Sequence, residues 1–181
     1  MNIYTTTPTN LSARTEMEQR SFALLEELKI SYTYVDHEPA LTMEACVEID
    51  KALGVKMCKN LVLCNRQKTN YYLFLMPGEK VFKTKELSSQ INSARLSFAS
   101  GEAMEELLGV LPGSASVLGL LKDTENRVQL LIDKDLLEEE YFGCHPCKNT
   151  SSIRFTTEDL LNCILPSLGH EYIAVELKGE E

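Results

Sequence analysis

Three separated stretches of the chain carry groups that could act on an ester or a similar carbonyl substrate. Lys59 opens an apolar segment, so its ammonium is expected at the rim of a sheet, beside the amide of Asn60. His145 is followed by Pro146, which restricts the backbone and could fix the imidazole. A third stretch is a loop of small residues whose backbone N–H groups could converge on an oxyanion: Gly113, Ser114, Ala115 and Ser116.

Each of these features also has an ordinary explanation. A lysine at a strand end can be a solvent-exposed charge, a run of small residues can be a turn, and a loop histidine can be held by hydrogen bonds alone. The chain contains no Gly-x-Ser-x-Gly elbow, P-loop, dinucleotide glycine fingerprint or His-Glu-x-x-His motif. The residue types alone therefore leave the chemistry open.

The pair Cys144 and Cys147 has the spacing of a redox dithiol or of half a metal site. A redox pair is expected at the start of a long helix, whereas Asn149-Thr150 leads here into a short predicted strand. A structural zinc site needs about four ligands, and no second pair is present. Redox and metal roles are minor alternatives, and all six cysteines are expected to be reduced.

Length and charge restrict the remaining possibilities. A chain of 181 residues is long enough for one well-buried domain. We find no apolar run that could span a bilayer and no export signal, so we expect a cytoplasmic protein with no membrane association. The net charge of −9 disfavours nucleic acid, but residues 51–85 carry eight basic side chains and one acidic one. This segment of charge +7 is either a surface for a polyanion or a solvated face.

Hydrophobic periodicity predicts one α+β domain over residues 15–178, with a polar arm at 1–14 and a mobile tail at 178–181. The domain is expected to contain a mixed sheet of about seven strands, curled towards a barrel and flanked by five helices. Eight segments are candidates for these strands, at 31–36, 59–64, 71–76, 96–98, 117–121, 128–132, 152–155 and 172–177. The predicted helices lie at 15–28, 42–52, 84–91, 101–108 and 156–165.

Four segments of the chain resemble the YbaK/ProX family, the free-standing relatives of the prolyl-tRNA synthetase editing domain. These segments are DHEPALT (36–42), KNLVL with YYLFLMPGEK (59–80), LPGSASVLGL (111–120) and HPCKNTSSIRFTTEDL (145–160). Each is weak alone, but their order and spacing extend over roughly residues 31–165. The resemblance implies the fold of that family and the hydrolysis of a mischarged aminoacyl-tRNA, most closely that of alanine on proline tRNA.

The resemblance also implies roles for individual residues. It assigns catalysis to Lys59 and His145, and substrate binding to His37, Asn60, Gly113, Ser114, Ala115, Ser116 and Asn149. It implies no cofactor and no metal. The expected partner is the acceptor end of a mischarged tRNA, with prolyl-tRNA synthetase as a further candidate and a homodimer left open.

Two positions depart from the family pattern. Val117 stands where the family loop usually carries proline, which could change loop rigidity and substrate choice. Cys147 stands where an aliphatic residue is common, which favours an incidental cysteine pair. Three alternatives stay open: a deacylase for another tRNA such as cysteinyl-tRNA(Pro), a non-catalytic module that binds tRNA or a synthetase, and a thiol redox protein.

Overall fold

The computed structural model describes residues 1–179, and of Met43 it describes only the backbone. Its strands form two sheets. A three-stranded antiparallel sheet has the order β1-β7-β6, and a five-stranded sheet has the order β4-β2-β3-β5-β8. The strands are β1 Thr33–Asp36, β2 Lys59–Asn65, β3 Tyr71–Met76, β4 Leu96–Phe98, β5 Val128–Asp133, β6 Tyr141–Cys144, β7 Ser151–Thr156 and β8 Tyr172–Val175.

The larger sheet is mixed, as the sequence predicts. Strand β2 pairs antiparallel with β3 and β4, whereas β3, β5 and β8 run parallel to one another. The α+β class is confirmed, but the strands are divided between two open sheets, so that no barrel closes within residues 1–179.

The helices begin and end at residues whose chemistry caps them. Thr15 and Glu18 form a capping box at the start of α1, Thr42 caps α2, and Gly54 ends α2 in the left-handed conformation. The α-helices are α1 Glu16–Glu27, α2 Met43–Leu53, α3 Thr84–Gln90, α4 Gly101–Leu108, α5 Lys134–Leu137, α6 Thr157–Asp159 and α7 Leu165–Leu168. A π-helical turn at Leu160–Ile164 joins the last two, and 3₁₀ turns lie at Leu11–Ala13 and Val117–Leu121.

One predicted strand, at 117–121, is wrong. Val117–Leu121 is a 3₁₀ helix whose first turn is capped by the hydroxyl of Ser116, which accepts from the amide of Leu118 at 3.1 Å. The segment is apolar and largely buried, a pattern that does not separate a strand from a buried helix. Strand β5 pairs in parallel with β3 and with β8.

The main hydrophobic core lies beneath the segments that the sequence singles out. Phe22 and Leu25 of α1 pack there with Leu73 of β3, and Ala115 and Cys144 extend the same cluster to the small-residue loop and the end of β6. This shared core holds the loop at 113–116 and the turn after β6 next to each other. A smaller cluster on the opposite face of the larger sheet packs beneath α3.

The first fourteen residues contact the domain at several points, and Leu11 packs against the main core. Tyr4 makes two 2.9 Å backbone hydrogen bonds with Tyr34 of β1, and the side chain of Arg14 is 8% exposed. Of the tail that the sequence predicts to be mobile, residues 180 and 181 lie outside the described residues. None of the described helices is both long enough and apolar enough to cross a bilayer.

Candidate functional site

The turn between β6 and β7 fixes one nitrogen of the His145 ring. Its Nδ1 lies 2.7 Å from the carbonyl oxygen of Ser151, the first residue of β7. Because a carbonyl only accepts, Nδ1 carries the proton, and Nε2 of the neutral ring keeps a lone pair. Burial lowers the pKa of His145, an effect that the Ser151 carbonyl opposes and that nearby His37 reinforces. His145 is therefore neutral at pH 7 and offers an acceptor at Nε2.

A second imidazole, that of His37, lies beside the first. The two ring centroids are 6.3 Å apart, and Nδ1 of His37 is 2.8 Å from the carbonyl of Glu38, so it too carries the proton. Its Nε2 accepts from the hydroxyl of Ser152 at 2.8 Å, and the same oxygen lies 3.4 Å from Nδ1 of His145. Ser152 is 1% exposed and links the two rings.

The small-residue loop packs directly on the turn that carries His145. The hydroxyl of Ser116 donates to the carbonyl of His145 at 2.6 Å, and the amide of Asn149 donates to the hydroxyl of Ser114 at 3.1 Å. Gly113 has φ +88°, and a Cβ there would lie 3.5 Å from Nδ2 of Asn149. The structure therefore brings His37, His145, Asn149 and the loop together from distant parts of the chain.

The backbone amides of this loop are not all free to act on a ligand. The amide of Ser114 donates to the carbonyl of Leu111 at 2.9 Å. Within residues 1–179, the hydrogen bonds of the structure do not use the amides of Gly113, Ala115 or Ser116. These three N–H groups are the loop donors that remain for an oxyanion.

The ammonium of Lys59 contacts a residue outside this cluster. The side chain is exposed, and its Nζ donates to the carbonyl of Lys80 at 3.1 Å. Because side chains alternate along a strand, Lys59 shares its face with Leu61 and Leu63, which pack in the smaller cluster. In the described part of the chain, no hydrogen bond joins Lys59 to His145 or to the loop.

The residues on either side of Lys59 are oriented towards the main core. The thiol of Cys58 lies 3.8 Å from the carbonyl of Gly143, two residues before His145. Asn60 shares its face with Val62, and its Nδ2 donates to the carbonyl of Cys58 at 3.2 Å. Its Oδ1 is buried and, among the described residues, has no hydrogen-bond partner. A buried acceptor without a donor costs about 1–3 kcal/mol of stability.

A groove of about 950 Å³ adjoins the cluster on the side of Cys58 and Gly143. Its lining contains two lysines, Lys51 and Lys56, and six acidic residues: Asp50, Glu79, Asp135 and Glu138–Glu140. The lining contains neither His37 nor His145. The groove and the histidine pair are therefore neighbours rather than parts of one cavity.

The cysteine pair lacks the properties of a redox dithiol. Cys144 and Cys147 are buried, and no disulfide forms among the six cysteines. Burial raises the pKa of the Cys147 thiol to about 12 and that of Cys144 well above its ordinary value, whereas the reactive form is the thiolate. No described group of three or more metal-binding side chains could hold an ion. The geometry disfavours the redox and metal interpretations.

The basic segment 51–85 does not form one continuous surface. Lys59 begins β2 and Arg66 directly follows its last residue, so a strand of seven residues, about 20 Å long, separates them. The ammonium of Lys80 is neutralised by Asp133 and Asp135, each at 3.0 Å. The charge excess seen in sequence is therefore divided between separate parts of the molecule.

Sequence reasoning missed the groups that hold the two histidines. Ser151 and Ser152 directly follow the His-Pro-x-x-Asn-Thr segment, and Asp36 directly precedes His37. Arg14 contacts both Asp36 and Ser151 from the segment expected to be an arm. Proximity in sequence to the histidines could have indicated the serines and the aspartate, but no local pattern indicates Arg14.

Comparison with known proteins gives consistent results. The family model for the aminoacyl-tRNA editing domain matches residues 37–163. The chain is 32% identical over 162 residues to the prolyl-tRNA editing protein ProX of Acetoanaerobium sticklandii, covering 90% of this chain and 98% of that relative. It is 31% identical to the prolyl-tRNA synthetase associated domain-containing protein 1 of Mus musculus, covering 88% and 94%.

The fold also matches solved structures. A protein described as a candidate trans-editing enzyme for prolyl tRNA synthetase superimposes with a TM-score of 0.67 at 19% identity, covering 92% of this chain and 99% of that one. The hypothetical protein APE2540 superimposes with a TM-score of 0.62 at 17% identity, covering 84% and 95%. At these identities the structural matches establish the fold alone.

Proposed function

Because the chain belongs to the aminoacyl-tRNA editing domain family, we propose that it hydrolyses a mischarged aminoacyl-tRNA in trans, with alanyl-tRNA(Pro) as the substrate. The observation that carries this proposal is the packing of the small-residue loop against the turn of His145, a neutral imidazole. An aminoacyl ester is already activated, so its hydrolysis requires no serine or cysteine nucleophile. The site must instead position the tRNA end and stabilise the developing oxyanion.

The proposed roles follow from which groups remain free. The amides of Gly113, Ala115 and Ser116 donate to the oxyanion, because that of Ser114 is already used. His145 accepts at Nε2 from the attacking water or from a ribose hydroxyl, since its Nδ1 proton is held by the Ser151 carbonyl. This chemistry requires neither a metal nor a cofactor.

The remaining residues are proposed to bind the substrate. The unpartnered Oδ1 of Asn60 accepts from the α-ammonium of the amino acid. Lys59 exchanges the Lys80 carbonyl for the terminal phosphate or the ester oxygen, to which a full positive charge binds more strongly. His37 and Asn149 hold the imidazole and the loop in place.

Deacylation is expected to be lost on the acidic side of neutrality. Protonation of His145 places a donor at Nε2 and removes the acceptor, and because burial lowers its pKa, the loss is expected below pH 6.5. The measurement is kcat/KM between pH 4.5 and 7.5, with the uncatalysed ester hydrolysis subtracted. A profile that rises towards acid, or that falls with a midpoint well above 6.5, would contradict the role of His145.

The choice of amino acid is proposed to depend on size. A synthetase gains only about 1–3 kcal/mol from one methylene, so a second site that admits alanine and excludes proline removes the residual error. Val117 stands where the family loop usually carries proline, and its side chain is fully buried. Because this replacement can change the rigidity of the loop, cysteinyl-tRNA(Pro) is the alternative substrate. The tRNA acceptor end and prolyl-tRNA synthetase are the proposed partners, and the cytoplasm is the proposed location.

A panel of purified tRNA(Pro) charged with alanine, cysteine or proline tests the function. We expect the alanyl ester to be lost fastest and the prolyl ester to survive at its uncatalysed rate. Faster loss of the cysteinyl ester would favour the alternative substrate. Tight tRNA binding without loss of any ester would instead identify a non-catalytic binding module.

A further inference from the structure

Arg14 is a buried charge with no part in the proposed chemistry. It lies two residues before α1, and its side chain is 8% exposed. The guanidinium packs over the rings of Phe22 and Tyr34, with centroid distances of 5.5 and 5.6 Å. Burying an arginine is costly unless its hydrogen bonds are satisfied, so the groups that satisfy it are informative.

The guanidinium joins three elements of the fold. Nη2 donates to Oδ2 of Asp36 at 2.7 Å, and Nη1 donates to Oε2 of Glu18 at 3.1 Å and to the hydroxyl of Ser151 at 3.0 Å. The hydroxyl of Ser151 in turn donates to the other oxygen of Asp36. Burial raises the pKa of Asp36, but the hydrogen bonds from Arg14 and Ser151 outweigh it, so the pKa is lowered and the carboxylate is ionised at neutral pH.

Ser151 is therefore held from both ends. Its side chain is fixed between Arg14 and Asp36, and its carbonyl accepts from Nδ1 of His145 at 2.7 Å. The amide of His37, the residue after Asp36, donates to the carbonyl of Thr150 at 2.9 Å. The contacts of Arg14 thus reach the backbone that supports both imidazoles.

We propose that Arg14 is a positioning residue for deacylation: it fixes Ser151 so that the carbonyl of this serine holds His145 in the Nδ1–H tautomer, with Nε2 free. The inference rests on the proposed function, although it concerns the state of the ring rather than the reaction. The charged and titratable groups around this ring are His37 after β1, Asp36 at the end of β1, Glu18 of α1 and Arg14 itself. Ser151 and Ser152 contribute neutral partners from β7.

Two variants separate positioning from folding. Arg14→Lys keeps the charge but loses the planar fork, so one ammonium cannot serve Asp36, Glu18 and Ser151 with the same geometry. Ser151→Ala removes the hydroxyl but keeps the carbonyl, at a buried position where the change in volume is small. If Arg14→Lys fails to fold, Ser151→Ala decides by the same measurements. The matched control is Arg20→Lys on α1, whose guanidinium contacts the carbonyl of Leu121.

Long-range ¹H–¹⁵N spectra report the tautomer and pKa of each imidazole, and the chain has only three histidines. In the unmodified protein, His145 is expected as a single Nδ1–H tautomer. In Arg14→Lys it is expected to become a tautomer mixture with a shifted pKa, and kcat is expected to fall about 10- to 100-fold with a smaller change in KM. His170, held by the carbonyl of Asp123, serves as the internal reference.

The outcomes are distinguishable. Folded variants whose His145 spectra match those of the unmodified protein overturn the inference, whatever their activity. An altered His145 in Arg14→Lys but not in Arg20→Lys supports it. If the unmodified protein hydrolyses no ester, the proposed function fails, while the spectra still decide whether Arg14 sets the state of the ring.

Discussion

Lys59→Ala is expected to abolish detectable deacylation and to leave the fold intact. Removal of one group that stabilises charge in a transition state lowers kcat by about 10²–10³-fold. In the free protein this ammonium is exposed and donates only to the Lys80 carbonyl, so its loss removes little packing. A hydrogen bond of this kind contributes about 0.5–1.5 kcal/mol, and the free energy of unfolding should fall by no more than that.

The comparison needs single-turnover kinetics and denaturant unfolding on the same preparations. Lys85→Ala is the matched control, because Lys85 is an exposed lysine of the same basic segment but lies on α3. We expect Lys85→Ala to retain nearly full kcat. If Lys59→Ala deacylates at an unchanged rate, Lys59 takes no part in the reaction, and its proposed catalytic role is refuted.

The location of Lys59 shows where sequence reasoning reaches its limit. Its position at the start of β2 was predictable, because an apolar run of strand-forming residues begins there. The direction of its side chain was not, since it depends on which face of the sheet packs against α3 and on the carbonyl of Lys80, 21 residues later. Alternation places Asn60, rather than Lys59, on the face of the main core.

Local chemistry was the predictable part of the fold. The capping box at Thr15 and Glu18, the cap at Thr42 and the stop at Gly54 each involve residues within a few positions of one another, and all three are present. Val117–Leu121 was mispredicted because its conformation depends on how it packs against distant parts of the chain. Gly119 illustrates this, since a Cβ there would lie 2.9 Å from the carbonyl of Leu108.

The candidate site was predictable as a set of segments but not as a hydrogen-bonded unit. The resemblance located His145 and the loop, and the structure adds that Ser116 and Asn149 join them. The support from Arg14 spans 137 residues to Ser151, a separation that no periodicity encodes. Strand β6 was missed because Tyr141–Cys144 is short and ends in the cysteine pair.

Gly113→Ala is expected to reduce deacylation about 100-fold with only a modest loss of stability. Gly113 has φ +88°, a region that L-residues adopt at a cost of about 1–2 kcal/mol. A Cβ there would lie 3.5 Å from Nδ2 of Asn149, which is an ordinary contact distance. The substitution is therefore expected to disturb the loop through backbone strain at a positive φ and not through a steric clash. Relaxation of that strain moves the amides of Ala115 and Ser116, and misplacement by about 1 Å can cost 10²-fold in rate.

Gly169→Ala provides a matched control for this loop. Gly169 is also exposed, has φ +68° at the end of α7, and a Cβ added there would meet no described heavy atom within 4 Å. Both substitutions should therefore lower the free energy of unfolding by a similar amount, whereas only Gly113→Ala should lower kcat. Equal kcat values for the two variants would mean that strain in the backbone of the loop at 113–116 does not affect the reaction. The amides of this loop would then not be the donors to the oxyanion.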